Sequence, residues 1–323
     1  MTKYRQTSLF PESCDEIEAP KPVNVASIPQ RSPFRYPGGK TWFVPTFRRW
    51  MSRMNPKPSM LVEPFVGGGI ISLTALFENL VKKAVMVELD DQIASVWQSV
   101  VNNDAEWLAK RILTFNMTKE AVLQELKRTP KTEREKAFQT ILKNRTLHGG
   151  ILAEGSRFIK HGENGKGIRS RWYPETIAKR LINLNLVVTR IDFRYDDGLK
   201  VMREFSTNGE VVYFIDPPYT AGGKKAGRRL YKHYNLDHED LFMVCESLNG
   251  DFLMTYDHAE EVKEMARRHG FQMRLIPMMN THHEAMMELV IGRDLSWMDK
   301  FPGVNEPRAK YRVKKKKRRP PNP

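Results

Sequence analysis

The sequence predicts an α/β fold, a parallel sheet wrapped by helices and interrupted by a mostly helical insert. Three observations point there. Short apolar runs alternate with amphipathic, helix-period stretches, as in βαβ units. Glycines crowd the turn after the first of these runs. Between about 104 and 143 the pattern becomes charged and helical, with no strand.

The elements follow in order. "MLVEPF" (60–65) reads as a strand, Gly67 to Gly69 as a turn and "IISLTALFENL" (70–80) as an apolar-faced helix. "AVMVEL" (84–89) is a second strand and "DQIASVWQSVV" a second helix. Charged helices then occupy 104–113, 118–129 and 133–143. Strands resume at "LVVTRIDF" (186–193), "VVYFI" (211–215), "DFLMTY" (251–256) and "AMMELVI" (285–291), with helices at 197–205, 237–248 and 259–269. Residues 1–30, poor in aromatics and broken by proline, read as a disordered arm, and 306–323 as a basic disordered tail. The expected organisation is a catalytic domain of 31–103 and 176–305, carrying an insert at 104–175.

A net charge of +15 over 323 residues is concentrated in two places. Nine basic residues lie between Arg308 and Arg319, and residues 101–175 hold fifteen against nine acids. Clustering of this kind favours a polyanionic partner, which solubility alone does not require. No apolar run is long enough to span a membrane, and the N-terminus does not read as a signal peptide. With Cys14 and Cys245 the only cysteines, neither a disulfide framework nor a cysteine zinc site is expected, and a cytoplasmic location fits.

Three clusters carry the chemistry. "EPFVGGG" (63–69) sits at a strand-to-helix turn, where glycines let the backbone approach a ligand and present amides at a helix start. Glu88 ends the next strand, about where an acid accepts hydrogen bonds from ribose hydroxyls. "FRYPGGK" (34–40) is a glycine turn with an aromatic and a lysine, suited to the charged amino-acid end of a cofactor. "DPPY" (216–219) follows a buried strand: a carboxylate at the carboxyl end of a parallel sheet, two prolines that remove amide donors, and a flat ring. That set suits a planar amino-heterocycle held by its amino group and its π-face.

In this order, "FRYPGGK", "EPFVGGG", an acid after the next strand, an insert and then "DPPY", the sequence resembles the Dam-like, alpha-type (D12 class) DNA adenine-N6 methyltransferases. "LKNRTLHGGI", "LYKHYNLDHEDL" and "ELVIG" add to the resemblance, which covers roughly 33–295. It implies a Rossmann-like sheet with a target-recognition insert and S-adenosyl-L-methionine (AdoMet) as cofactor. It further implies methyl transfer to adenine N6 in double-stranded DNA after base flipping. Tyr36 and Lys40 would meet the methionine end of the cofactor, with Phe65, Gly67 and Gly69 lining it. Glu88 would take the ribose, Asp192 and Phe193 would border the adenine, and Asp216 would touch cofactor and substrate. Asp216, Pro217, Pro218 and Tyr219 would form the catalytic group. Arg145, Arg157, Arg169 and Arg171 in the insert are candidates for base or phosphate contacts. Lys224, Lys225, Arg228 and Arg229 would meet phosphates. The resemblance also implies a monomer in a bacterial or phage-infected cytoplasm, with a restriction endonuclease as a functional rather than physical partner.

The chain departs from relatives at Tyr36, where some have Trp, and at Glu88, where Asp is frequent. Its "HGENGKGIRSRWYPET" does not look like the hairpin of the GATC-specific members, so the target sequence stays open. "DPPY" by itself also fits a cytosine-N4 or RNA-nitrogen methyltransferase. A non-enzymatic DNA-binding protein would explain the charge without the cofactor motifs. A nuclease reading rests on "EVK" (261–263) after Asp257, whose Glu261 and Lys263 fall on different sides of a helix. No metal is expected at the paired His282 and His283. Cytosine-C5 chemistry would need a Pro-Cys nucleophile, which the chain lacks.

Overall fold

Strand β4 (Val211–Ile215) is buried along its whole length, and its side chains divide between two cores. Val212 and Phe214 face one, while Val211, Tyr213 and Ile215 face the other. A run without polar alternation can be satisfied only in a strand covered on both faces. The computed structural model describes residues 25–35, 39–152, 155–218, 236–279 and 285–299.

β4 sits at the centre of a seven-stranded sheet of order β3-β2-β1-β4-β5-β7-β6. The others are β1 (Met60–Glu63), β2 (Lys83–Glu88), β3 (Ile191–Tyr195), β5 (Phe252–Asp257), β6 (Gln272–Met279) and β7 (Ala285–Gly292). Pairings from β3 through β5 are parallel. β7 runs antiparallel to both β5 and β6, so the sheet is mixed, which corrects the expectation of a purely parallel one. The order reverses between β1 and β4, and in open α/β sheets the ligand crevice opens outside the strand ends at such a point.

Helices α1 (Val44–Ser52), α2 (Ile70–Phe77) and α3 (Asp91–Val101) contribute to one core, around Phe47, Trp50, Leu61, Trp97 and Phe214. α3 begins at Asp90, whose carboxylate accepts from the amides of Gln92 and Ile93 at 2.8 and 3.3 Å, satisfying two donors a helix start leaves open. The insert supplies α4 (Ala105–Thr114), α5 (Lys119–Lys127) and α6 (Glu133–Thr146), followed by α7 (Pro174–Leu184). Phe138, Ile141 and Leu181 join the same core as Trp97, so these helices pack on the sheet's own cover. The opposite face is covered by α8 (Gly198–Phe205), α9 (His238–Ser247) and α10 (Glu260–Arg268).

The strand expected at 186–193 is shifted. Residues Val188–Arg190 form a 3-10 turn and the strand is Ile191–Tyr195, which moves its carboxyl end to Asp196 and Asp197. Helices α1 and α7 and strand β6 were not anticipated.

Candidate active site

The turn after β1 is built around Gly67 and Gly69. Gly69 caps α2 at φ 64°, a conformation that favours glycine, and a Cβ placed there would sit 2.9 Å from Trp97 Cζ2. Trp97 Nε1 donates to the Gly67 carbonyl at 2.9 Å, and the Gly67 amide donates to Glu88 Oε2 at 3.0 Å. Glu88 Oε1 accepts from the amides of Leu89 and Asp90, both at 2.9 Å. One carboxylate therefore ties the glycine turn to the end of β2, while staying half-buried at the rim of a cleft. Burial, with Asp90 close by, pushes its pKa up to about 7 against those amide bonds.

Glu63, the last residue of β1, is fully enclosed and accepts from the Ser72 amide at 3.0 Å and from the Ser72 hydroxyl. Burial raises its pKa to about 8; the Ser72 bonds oppose the rise, and nearby Asp216 and Glu88 add to it.

At the end of β4, Asp216 Oδ1 accepts from Thr255 Oγ1 at 2.9 Å and pairs with Lys40 Nζ at 2.8 Å. The same ammonium pairs with Glu288 Oε1 of β7 at 3.0 Å. Lys40 is 4% exposed; burial alone would lower its pKa, but Asp216 and Glu288 more than reverse this and hold it well above the usual lysine value.

These groups share one cleft beyond the ends of β1 and β4, holding about 1220 Å³ of empty space including its mouth. Of the residues expected there, Lys40, Phe65, Gly67, Gly69, Glu88, Asp216 and Pro218 line it, and Pro217 is buried beside them. Asp192 and Phe193 do not line it. Asp192 lies near the start of β3 and pairs with Lys83 Nζ at 3.0 Å, and Phe193 packs against the core. The strand shift brings Asp197 and Gly198 to the cleft in their place. Gly198 approaches so closely that a Cβ there would lie 2.4 Å from the Pro64 carbonyl oxygen. Tyr36 and Tyr219 lie outside the described residues, as do Lys224, Lys225, Arg228 and Arg229.

The insert's arginines differ in role. Arg145 is 6% exposed and donates to the Pro33 carbonyl, so it is a structural residue and not a surface contact. Burial and the charges of Arg180, Arg35 and Arg171 lower its pKa to about 10. Arg169 Nε donates to the Met117 carbonyl at 2.7 Å. Arg157 and Arg171 line a second, separate pocket.

The nuclease reading finds no support. Lys263 pairs with Glu260 at 2.6 Å, and no group of three or more His, Cys, Asp or Glu able to hold a metal occurs among the described residues. Cys245 is fully buried in α9, and burial pushes its thiol far above the ordinary value, so it is no nucleophile.

Residues 36–277 match the family described as D12 class N6 adenine-specific DNA methyltransferase. The chain belongs to this family. It is an adenine-specific methyltransferase, and its cofactor is S-adenosyl-L-methionine. No curated protein matches the chain. Similar solved structures include three methyltransferases of low identity. One is from Geobacter sulfurreducens, 12% identical, covering 77% of this chain and 79% of that one, with a TM-score of 0.33. Another is the tRNA methyltransferase TrmK of B. subtilis, 10% identical, covering 77% and 65%, with a TM-score of 0.34. The third is TrmK of M. capricolum in complex with S-adenosyl-homocysteine, 6% identical, covering 81% and 70%, with a TM-score of 0.33.

The cleft suits the cofactor on chemical grounds. It offers a carboxylate on the glycine turn for hydroxyl groups, a buried carboxyl at Glu63 and a glycine cradle that a Cβ at position 69 would disturb. Acids outnumber cations along its wall, as a positively charged sulfonium ligand requires.

Proposed function

We propose that this enzyme methylates the N6 amino group of adenine in double-stranded DNA after the base is turned out of the helix. The observation that carries the reading is the placement of Asp216. It is a carboxylate at the sheet's switch point, beside Pro217 and Pro218, with Oδ1 fixed by both Lys40 and Thr255.

The lone pair of an aromatic amine is delocalised into the ring, so the amine is a poor nucleophile. In this reading Asp216 and the Pro217 carbonyl accept hydrogen bonds from the amine, which favours a nitrogen whose lone pair is available. When bound, AdoMet supplies an electrophilic methyl on a sulfonium, so no covalent enzyme intermediate is required. On methylation N6 would shed a proton, and Asp216 would accept it. Lys40 fixes the Asp216 carboxylate, and Glu288 holds Lys40 when Asp216 turns to the base. Glu88 and the Phe65 to Gly69 turn hold the cofactor, joined by Asp197 and Gly198. Catalysis by positioning and electrostatics alone supports large accelerations. Tyr219 stacking on the base and Tyr36 meeting the cofactor belong to the same proposal, as do an insert at 104–175 that reads DNA and action as a monomer. Phosphate contacts from Lys224, Lys225, Arg228 and Arg229 complete it.

The test is to incubate the protein with plasmid DNA and methyl-labelled AdoMet, digest to nucleosides and identify the modified base. N6-methyladenine is expected. Its absence from a preparation that binds AdoMet would refute the proposal. Asp216→Ala should lower kcat by at least about 10³-fold, as for removal of a preorganised catalytic group, with AdoMet still bound.

A further inference from the structure

Thr255 lies within the buried stretch 252–256 of β5 and is itself fully enclosed. A hydroxyl in such a place costs free energy unless it finds an acceptor. Two other buried threonines find one within their own helix. Thr74 and Thr146 donate to the carbonyls four residues back, of Ile70 and Leu142, at 2.7 Å each. Thr255 donates across strands instead, from Oγ1 to Asp216 Oδ1 at 2.9 Å.

The register of the sheet brings the two together. Ile215 of β4 pairs with Met254 of β5, so Asp216 and Thr255 come next, side by side, at the carboxyl ends of parallel strands. Side chains alternate between the faces of a sheet along each strand. Thr255 therefore shares a face with Leu253, and Glu288 with Val290, both members of the core that holds Phe214. Asp216, two residues past Phe214, meets Thr255 on that face. Lys40 reaches it from the 3-10 turn Lys40–Phe43 and pairs with both carboxylates.

The two donors on Asp216 Oδ1 contribute differently. Lys40 brings charge, but its ammonium ends a flexible four-carbon stem and is shared with Glu288. Thr255 brings no charge, yet its hydroxyl hangs from a β-branched carbon with a stiff χ1, so the β5 backbone sets its place. A hydrogen bond from a hydroxyl to a carboxylate is strong and directional. It fixes the plane of the carboxylate, and with it the direction from which Asp216 accepts a hydrogen bond from an amine.

We infer that Thr255 is a positioning residue for methyl transfer, aiming Asp216 at the amino group of the base. The inference rests on the role proposed for Asp216 and deepens it. Thr255 stands behind the cleft and does not line it, so its effect passes through Asp216 alone.

The experiment compares two substitutions. Thr255→Val keeps the branched shape and removes the donor, whereas Thr255→Ser keeps the donor and removes a methyl. Each variant is assayed on plasmid DNA with methyl-labelled AdoMet, and N6-methyladenine is counted after digestion. Rates are divided by the AdoMet sites that calorimetry titrates, so that an unfolded fraction does not enter. Per site, Thr255→Val should lower kcat about 30-fold, the scale of a misplaced catalytic group. Its KM for DNA and its AdoMet affinity should stay within about twofold of wild type. Thr255→Ser should keep kcat within about threefold. A second donor-free variant, Thr255→Ala, should fall with Thr255→Val and not with Thr255→Ser. A hydroxyl that serves only the fold leaves kcat per site unchanged in every variant, and that result overturns the inference. So does equal loss in the Val and Ser variants, which assigns the effect to shape, and so does a raised KM with kcat intact, which makes Thr255 a binding residue. Wild type that forms no N6-methyladenine refutes the functional reading and this inference with it. Wild type that methylates while Thr255→Val keeps pace refutes this inference alone.

Discussion

The cleft and the insert pocket are neighbours with opposite charge. Around the cleft stand Glu63, Glu88, Asp90, Asp197 and Asp216, and its cation, Lys40, is neutralised from two sides. Around the pocket stand four cations and, among the described residues, no acid. The acidic wall of the cleft suits a sulfonium cofactor. The contrast also shows that a lysine and an arginine in one basic protein can have unlike surroundings. Lys40 is buried between two carboxylates, whereas Arg171 is half-buried at the wall of the insert pocket.

That contrast can be broken most strongly at Lys40. Lys40→Met leaves Asp216 and Glu288 without their shared cation, and removing one partner from a buried ionic group costs about 3–5 kcal/mol. The loss should appear as a large fall in the urea midpoint, which Arg171→Gln should not reproduce. Equal stability of the two variants would erase the distinction.

Glu63 sharpens the comparison through pH. Its folded pKa of about 8 lies above the ordinary 4.5, so folding favours the protonated form. Stability from this group is fully present below about pH 4.5 and is lost as pH rises through about 8. Glu63→Gln keeps an acceptor for Ser72 and should flatten that loss. The expected gain at pH 9 is on the order of 1–4 kcal/mol, with little change at pH 5. Glu88 acts with the same sign up to about pH 7, leaving a smaller slope in the variant. A cationic ligand beside Glu63 favours its ionised form, so AdoMet affinity by calorimetry should rise between pH 6 and 8 in wild type. Parallel pH profiles in the two proteins would contradict this account.

The smallest of these effects is steric. Gly69→Ala must adopt φ 64° and press against Trp97, costing about 1–3 kcal/mol and weakening AdoMet binding. An unchanged melting temperature would show that the turn yields.

Sequence reading located what local chemistry dictates. β4 is legible residue for residue because five consecutive apolar side chains admit few alternatives, and α3 because its apolar residues recur at helix spacing. β6 was missed because "QMRLIPMM" carries an arginine and a proline within a run that never alternates. The reversed direction of β7 has no local signature at all. Asp192 and Phe193 were misplaced from the cleft by a 3-10 turn at Val188–Arg190 that looks, in sequence, like the strand it precedes. Arg145 reads in sequence as a candidate DNA contact, although it falls among buried positions of α6. Glu288 could not be tied to the site from sequence, because its partner Lys40 lies at the other end of the chain.

That last pairing joins parts of the chain that lie far apart in sequence. β7 inserts between β5 and β6, although β6 precedes it along the chain. The chain through β6 contains Lys40 and Asp216 but neither Glu288 nor the strand that joins β5 to β6. The Asp216–Lys40–Glu288 group is thus assembled from distant parts of the sequence. A chain stopped before β7 carries every glycine of the cofactor turn but not the carboxylate that shares Lys40 with Asp216.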